Sequence, residues 1–160
     1  MGKGDMGTAV RAYKYGNFNL PVVLKIVRKT KLLDDRWNRW MRREIEVHRA
    51  LNKTEGIVKL YEIIENDKYL VLVLEHCELG ELQQYIELKP GRKLLETEAR
   101  NIFYSMVSTF AKIHKKGIVH RDVKPDNFFL KADGSVRVGD FGQARFFNPN
   151  GKLMKSFHGN

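Results

Sequence analysis

Little in this sequence can cross-link it, carry it through a bilayer or hold it open as a linker. There is one cysteine, Cys77, so no internal disulfide can form and no Cys-x-x-Cys metal site exists. A reducing compartment, cytoplasmic or nuclear, is the expectation. The longest unbroken apolar run, residues 69–74, is far shorter than the roughly 20 residues of a membrane-crossing helix, and no basic-then-apolar leader opens the chain. Gly2 follows Met1, but Met6 stands where a myristoylation signal requires Ser or Thr. Only four prolines occur, and no Pro/Ser-rich tract, low-complexity segment or internal repeat divides the 160 residues.

Acid is also scarce: 19 Asp and Glu stand against 29 Lys and Arg, a net charge of +10. Clustered cations neutralise phosphates, so such a balance invites nucleic acid as a partner. Here the cations are scattered over residues 28–31, 36–43, 112–116 and 152–155 without a nucleic-acid-binding signature. The expectation is therefore no nucleic acid and no membrane as partner. What the chain does have is 42% hydrophobic residues, enough at this length for a core of its own.

Runs rich in β-branched and aromatic residues at 21–27, 57–64 and 69–75 lie between turn formers and predict strands, and residues 8–15 read as extended. Between the first two strands, Trp37, Trp40, Met41, Ile45, His48 and Leu51 recur at helical spacing, with Asp34 or Asp35 as N-cap. The second half opens with a short amphipathic segment over 79–88, broken by Pro90-Gly91. A long helix follows over 99–114, on the recurrence of Ala99, Ile102, Phe103, Met106, Val107, Phe110, Ala111, Ile113 and His114. Lys115-Lys116-Gly117 supply its C-terminal cations and its stop. Then come Ile118-Val119 and a hairpin, residues 128–130 and 136–138 flanking Asp133-Gly134. From Phe146 on, the Asn-, Gly- and Lys-rich tail reads as a mobile loop.

Two charges interrupt these patterns. Lys25 breaks the strand run Val22-Val23-Leu24-Lys25-Ile26-Val27, and Glu44 lies at helical spacing from Trp37, Met41 and His48, on the stripe that should be apolar. Burying either alone would cost several kcal/mol, whereas a mutual ion pair near a phosphate offsets much of it. The alternative is that Lys25 snorkels from an edge strand and Glu44 sits at the margin of its stripe. Gly2-Lys3-Gly4-Asp5-Met6-Gly7 is a G-x-G-x-x-G loop, whose spacing lets backbone N–H groups approach phosphates without Cβ obstruction. A Rossmann reading would need a helix immediately after it; extended residues follow instead. A loop covering phosphates from a β-hairpin fits better.

The most specific signal is His120-Arg121-Asp122-Val123-Lys124-Pro125-Asp126-Asn127 followed by Asp140-Phe141-Gly142. With the Gly-rich loop and Val22-Val23-Leu24-Lys25 ahead of them, in that order, the chain resembles the eukaryotic protein kinases of serine/threonine type. The resemblance implies an α+β, two-lobe fold: a β-rich N-lobe with one helix over 1–78, lacking the start of its first strand, and a partial, mostly helical C-lobe over 79–160. It implies ATP and Mg²⁺ as cofactors. Lys25 would hold the α- and β-phosphates and be held by Glu44, and Asp140 and Asn127 would ligate Mg²⁺ through hard oxygens. Asp122 would orient the substrate hydroxyl and accept its proton, and Lys124 would neutralise the γ-phosphate. Gly2, Gly4 and Gly7 would cover the phosphates. Adenine would sit between Ala9 and Val23 above and Phe129 below, against the hinge Leu74-Glu75-His76-Cys77, with Leu74 as gatekeeper and Glu81 at the ribose. Phe129 is equally compatible with ordinary core.

The same likeness implies a protein substrate bearing Ser or Thr, with basic residues upstream selected by Glu81 and Asp126. Arg121 suggests control by phosphorylation, with Ser156 as the acceptor or as a plain loop serine. The chain stops at Asn160, before the family's Ala-Pro-Glu motif, so the helix over 99–114 is expected to leave an apolar face for a partner to cover. On that basis these residues alone are expected to aggregate readily and to be catalytically feeble. Three readings stay open: an active kinase of which this is part, a non-catalytic nucleotide-binding or interaction module, and a non-functional piece.

Overall fold

The computed structural model describes residues 3–4, 7–14 and 17–147, with side chains described for 7–13 and 20–147. It divides into two compact units, Met1–Arg42 with Lys59–His76 and Arg43–Val58 with Cys77–Asn160. The second crossing falls near the expected 78/79 boundary, while residues 43–58 join the C-terminal unit.

In the first unit, β1 (Lys3–Gly4), β2 (Gly7–Lys14), β3 (Asn17–Arg28), β4 (Leu60–Glu65) and β5 (Tyr69–Glu75) form one sheet in the order β1-β2-β3-β5-β4. Every pairing is antiparallel. Residues directly opposite in a ladder share a face, and those two apart on a strand return to it. Ala9, Lys25 and Leu72 therefore form one row, and Arg11, Val23 and Leu74 the next, on a common face. Val27, Leu70 and Leu72 on this face are buried, the apolar support on which Lys25 stands. The opposite face carries the rows Thr8–Ile26–Val71 and Val10–Leu24–Val73.

A 3₁₀ turn, Lys29–Leu33, leads into α1 (Asp35–Leu51). The carboxylate of Asp34 accepts the Arg36 backbone N–H at 2.8 Å, so Asp34 is the N-cap and satisfies one orphan donor of the first turn. Of the expected stripe, Met41, His48 and Leu51 are buried, and so are Glu44 and Val47.

The second unit holds α2 (Leu82–Glu87), α3 (Glu96–Lys115) and five short strands: β6 (Gly80–Glu81), β7 (Ile118–Val119), β8 (Phe128–Leu130), β9 (Val136–Val138) and β10 (Arg145–Phe146). Its core gathers Ile102 and Ile113 of α3 with Phe128, Leu130, Val138 and Phe141, and the Phe110 ring meets His120 and Phe128 edge-on. Gly56 has φ +85°, and a Cβ there would overlap the Thr109 side chain, so only glycine lets this loop close on α3. α3 starts earlier than its apolar stripe, because Glu96 and Glu98 in its first turn suit the positive end of the helix. Its outer face carries Phe103 at 65%, Tyr104 at 76% and Val107 at 52% exposure, as expected of an apolar face with nothing over it among the described residues. No described helix is long and apolar enough to cross a membrane.

Two expectations need correction, and a third segment is refined. The strand expected over 57–64 begins only at Leu60. Ile57 instead bridges Val138 in parallel, with Val58 N–H donating to the Val138 carbonyl at 3.0 Å and Val138 N–H to Gly56 at 2.7 Å. The amphipathic segment over 79–88 resolves into β6, where Gly80 and Glu81 pair with Leu130 and Phe129, and then α2. Phe146 is no loop residue: it pairs with Ile118, and Phe147 N–H reaches the Gly117 carbonyl at 2.8 Å. Residues 148–160, Ser156 among them, lie outside the described residues.

Candidate functional site

In the sheet unit, the register lines up four of the expected nucleotide residues. Ala9 stands opposite Lys25, and Val23 opposite Leu74, all on one face. The Lys25 ammonium lies over the Trp40 indole, 5.1 Å from its centroid. Gly7 fits against β3 only as glycine, because a Cβ would collide with the Ile26 carbonyl. Gly4 pairs with Gly7 across the hairpin; Gly2 lies outside the described residues. Glu75 is buried, its N–H donating to the Lys59 carbonyl at 2.8 Å and its carboxylate accepting the Lys59 N–H at 3.2 Å. That N–H is thus committed to the sheet. A groove of about 620 Å³ lined by Thr8, Ile26, Arg28, Lys31, Tyr69 and Val71 lies on the other face from Lys25.

In the other unit, the segment 120–127 is tied to the strand end before Asp140 by a short lattice. His120 is buried, and its Nε2 lies 2.9 Å from the Gly139 carbonyl while Nδ1 is 3.3 Å from the Asp122 backbone N–H. Only the neutral tautomer protonated on Nε2 serves both contacts, donating to the first and accepting from the second. The amide nitrogen of Asn127 donates to the Asp122 carbonyl at 2.7 Å and to its Oδ2 at 2.9 Å. Lys124 Nζ reaches the same Oδ2 at 3.2 Å. Gly139 N–H donates to the Asn127 carbonyl at 3.0 Å, which joins the loop of Asp122 directly to Asp140. Asp140 and Arg121 adopt φ of +53° and +70°, strained for residues with side chains.

Asn127 spends its amide nitrogen on Asp122, which leaves its oxygen as a hard donor, and Asp140 brings a carboxylate on the adjoining segment. That pair suits Mg²⁺. Among the described residues no cluster of three His, Cys, Asp or Glu forms a metal site; one carboxylate and one amide are a different donor set. Glu81 stands opposite Phe129 in the β6–β8 ladder. Burial raises its pKa above the usual carboxylate value, and the Asp126 charge adds to this. Cys77 is buried, and its carbonyl accepts the Gly80 N–H at 3.1 Å.

Burial also pushes the pKa of His120 below its usual 6.5, although the Gly139 carbonyl and the nearby Asp140 and Asp122 charges oppose the shift. A histidine with a depressed folded-state pKa contributes stability that is present in full above its unfolded pKa and is lost as pH falls through the folded one. The melting temperature is therefore expected to decline below about pH 6.5. In His120→Asn it should start lower at pH 7.5 and decline less over the same range, and an identical slope in the two proteins would exclude His120 as the titrating group.

Three features were out of reach of the sequence reading. Gly139 has no room for a side chain, since the Phe129 ring would lie 2.8 Å from its Cβ; the only signal was its place before Asp140. Arg145 is a half-buried cation whose pKa is lowered by burial and then by the charges of Arg43 and Arg121, three guanidiniums far apart in the chain. Trp40 looked like one more apolar stripe residue.

The protein kinase domain model matches residues 1–160. The chain is 35% identical to the NUAK family SNF1-like kinase 2 of Rattus norvegicus over 159 residues, 99% of this chain and 24% of that protein. It is 33% identical to the probable serine/threonine-protein kinase MARK-A of Dictyostelium discoideum, covering 99% of this chain and 14% of that one. With the Aurora kinase of Schizosaccharomyces pombe it shares 33% identity over 142 residues, 89% of this chain and 39% of that protein. The chain thus spans about a quarter of the length of the first of these relatives. Matched from end to end by that domain model, the chain belongs to the protein kinase family.

Proposed function

We propose that this chain carries the nucleotide-handling and catalytic residues of a serine/threonine protein kinase, transferring the γ-phosphoryl group of ATP to a Ser or Thr hydroxyl of a protein. The supporting observation is the lattice in which Asn127 and Lys124 both contact Asp122 Oδ2. Such a transfer asks a protein mainly to position the reactants and to neutralise charge developing on phosphate oxygens. Asp122 has its Oδ2 occupied by these two donors, so Oδ1 is the atom assigned to orient the hydroxyl and take its proton. Lys124 neutralises the transferring group. Lys25 takes the α- and β-phosphates, with Glu44 as its counter-charge, and Gly2, Gly4 and Gly7 give their backbone to the phosphates. Ala9, Val23, Leu74, Glu75, Cys77 and Phe129 bound the base, and Glu81 meets the ribose. Asn127 and Asp140 would hold Mg²⁺, which when bound neutralises phosphate charge.

Lys124, two residues after Asp122, favours Ser/Thr over Tyr as acceptor. The acidic pair Glu81 and Asp126 favours basic side chains upstream of it. Arg43, Arg121 and Arg145, brought close enough to depress the pKa of Arg145, are the residues to which a phosphate on Ser156 would be drawn. We extend the proposal to an intracellular site of action, on the chain's single, buried cysteine.

Unfolding in Mg·ATP against Mg²⁺ alone tests the nucleotide site: ligand bound only by the folded state raises the melting temperature, with about 2.7 kcal/mol of stabilisation at a hundredfold excess over Kd. No rise at millimolar Mg·ATP would reject the reading. The exposed Phe103, Tyr104 and Val107 favour a second one, an interaction module that docks through α3. It predicts Mg·ATP stabilisation and a stable partner complex with no phosphoryl transfer.

A further inference from the structure

Lys25 rises from β3 between Ala9 and the fully buried Leu72 on neighbouring strands. An ammonium in such surroundings gives up part of its hydration, and a contact that sets the direction of its long side chain is worth correspondingly more. Within this unit an aromatic ring supplies one such contact. Lys25 Nζ lies 5.1 Å from the Trp40 ring centroid, inside the range at which an indole face attracts a cation. Trp37 then meets Trp40 in a T-shaped contact, centroids 6.3 Å apart at 76°, so the face offered to the lysine is held by a second ring.

We propose that Trp40 is a positioning residue for Lys25: its indole face holds the ammonium charged and extended before nucleotide arrives, and Trp37 fixes that face. The proposal rests on the reading of Lys25 as the phosphate-binding lysine. A packing role alone does not account for the choice of residue. The helical stripe asks only for an apolar side chain at position 40, and leucine would satisfy it; a leucine has no electron-rich face for a cation. Trp40 is only partly buried, which fits a ring with one side turned to a polar group.

The test uses the full-length protein with Trp40→Leu and Trp40→Phe. Acetic anhydride at limiting dose acylates amines according to their uncharged fraction and freedom, and mass spectrometry reads Lys25 relative to the exposed Lys53 and Lys68. Lys25 is expected to react faster in Trp40→Leu than in the wild type, with Trp40→Phe between them. The Mg·ATP Kd is expected to rise about two- to thirtyfold in Trp40→Leu and less in Trp40→Phe. Unchanged Lys25 reactivity in a Trp40→Leu protein with wild-type circular dichroism overturns the proposal. Should Trp40→Leu fail to fold, unchanged reactivity in Trp40→Phe overturns it equally, because phenylalanine fills the space with a weaker face. A wild-type protein that does not bind Mg·ATP overturns the nucleotide reading, and the acylation ratio still decides whether Trp40 holds the lysine.

Discussion

Asp122→Asn is expected to lower phosphoryl transfer by about 10²- to 10⁴-fold while Mg·ATP affinity stays nearly unchanged. The substitution keeps the side chain's volume and removes its charge and its capacity to take a proton. It also reverses a hydrogen-bond polarity. Asn127 Nδ2 at 2.9 Å and Lys124 Nζ at 3.2 Å both donate to Asp122 Oδ2, so an amide in its place must turn its oxygen to them. Its NH₂ then faces the position of the substrate hydroxyl, a donor where an acceptor is required. The barrier rises by roughly 2.7–5.4 kcal/mol for that loss of rate. Single-turnover transfer from labelled ATP to a Ser peptide with arginine upstream reads the effect, and turnover within a few fold of the wild type would remove Asp122 from its role.

The second large effect is structural. Phe141 is fully buried and lies in the core with Phe128 and Val138. Its ring meets His48 and His120 at centroid distances of 5.1 and 5.4 Å. Truncating such a ring removes its transfer free energy and leaves a cavity that a close-packed interior closes only in part. Phe141→Ala is expected to destabilise by about 3–5 kcal/mol, and Phe141→Leu by under about 1.5 kcal/mol. Urea unfolding followed by far-ultraviolet dichroism measures both. Because His120 carries the contacts to Gly139 and Asp122, the alanine variant should also lose transfer activity at temperatures where it is still folded. Equal stability of the two variants would show that ring packing is not what holds this segment.

Several elements were legible because one face of each is buried and the other is not. The stripe from Trp37 to Leu51 became α1, the run at 69–75 became β5 with those bounds, and Asp133-Gly134 became the β8–β9 turn. The anomalous charges were legible too: Glu44 is buried, and Lys25 stands in mid-sheet. The motif around Asp122 announced the family, because phosphoryl transfer needs few residue types at fixed spacing. Less was visible wherever an element is too short to carry a period. β6 and β10 are two residues each and exist through partners about fifty and twenty-six residues away along the chain, Leu130 and Phe129 for the one, Ile118 and Val119 for the other.

The residues alone determined the family and the order of the longer strands and helices, and they nominated the side chains proposed to handle phosphate, since each follows from local periodicity or from a motif read in line. Tertiary structure alone decided that Ile57 and Val58 join β9, that Gly139 must lack a side chain beneath Phe129, that three arginines from distant segments converge, and that an indole faces Lys25. Those contacts join residues with no sequence relation to one another. They arise only when packing brings separate faces together, and no period along the chain encodes them.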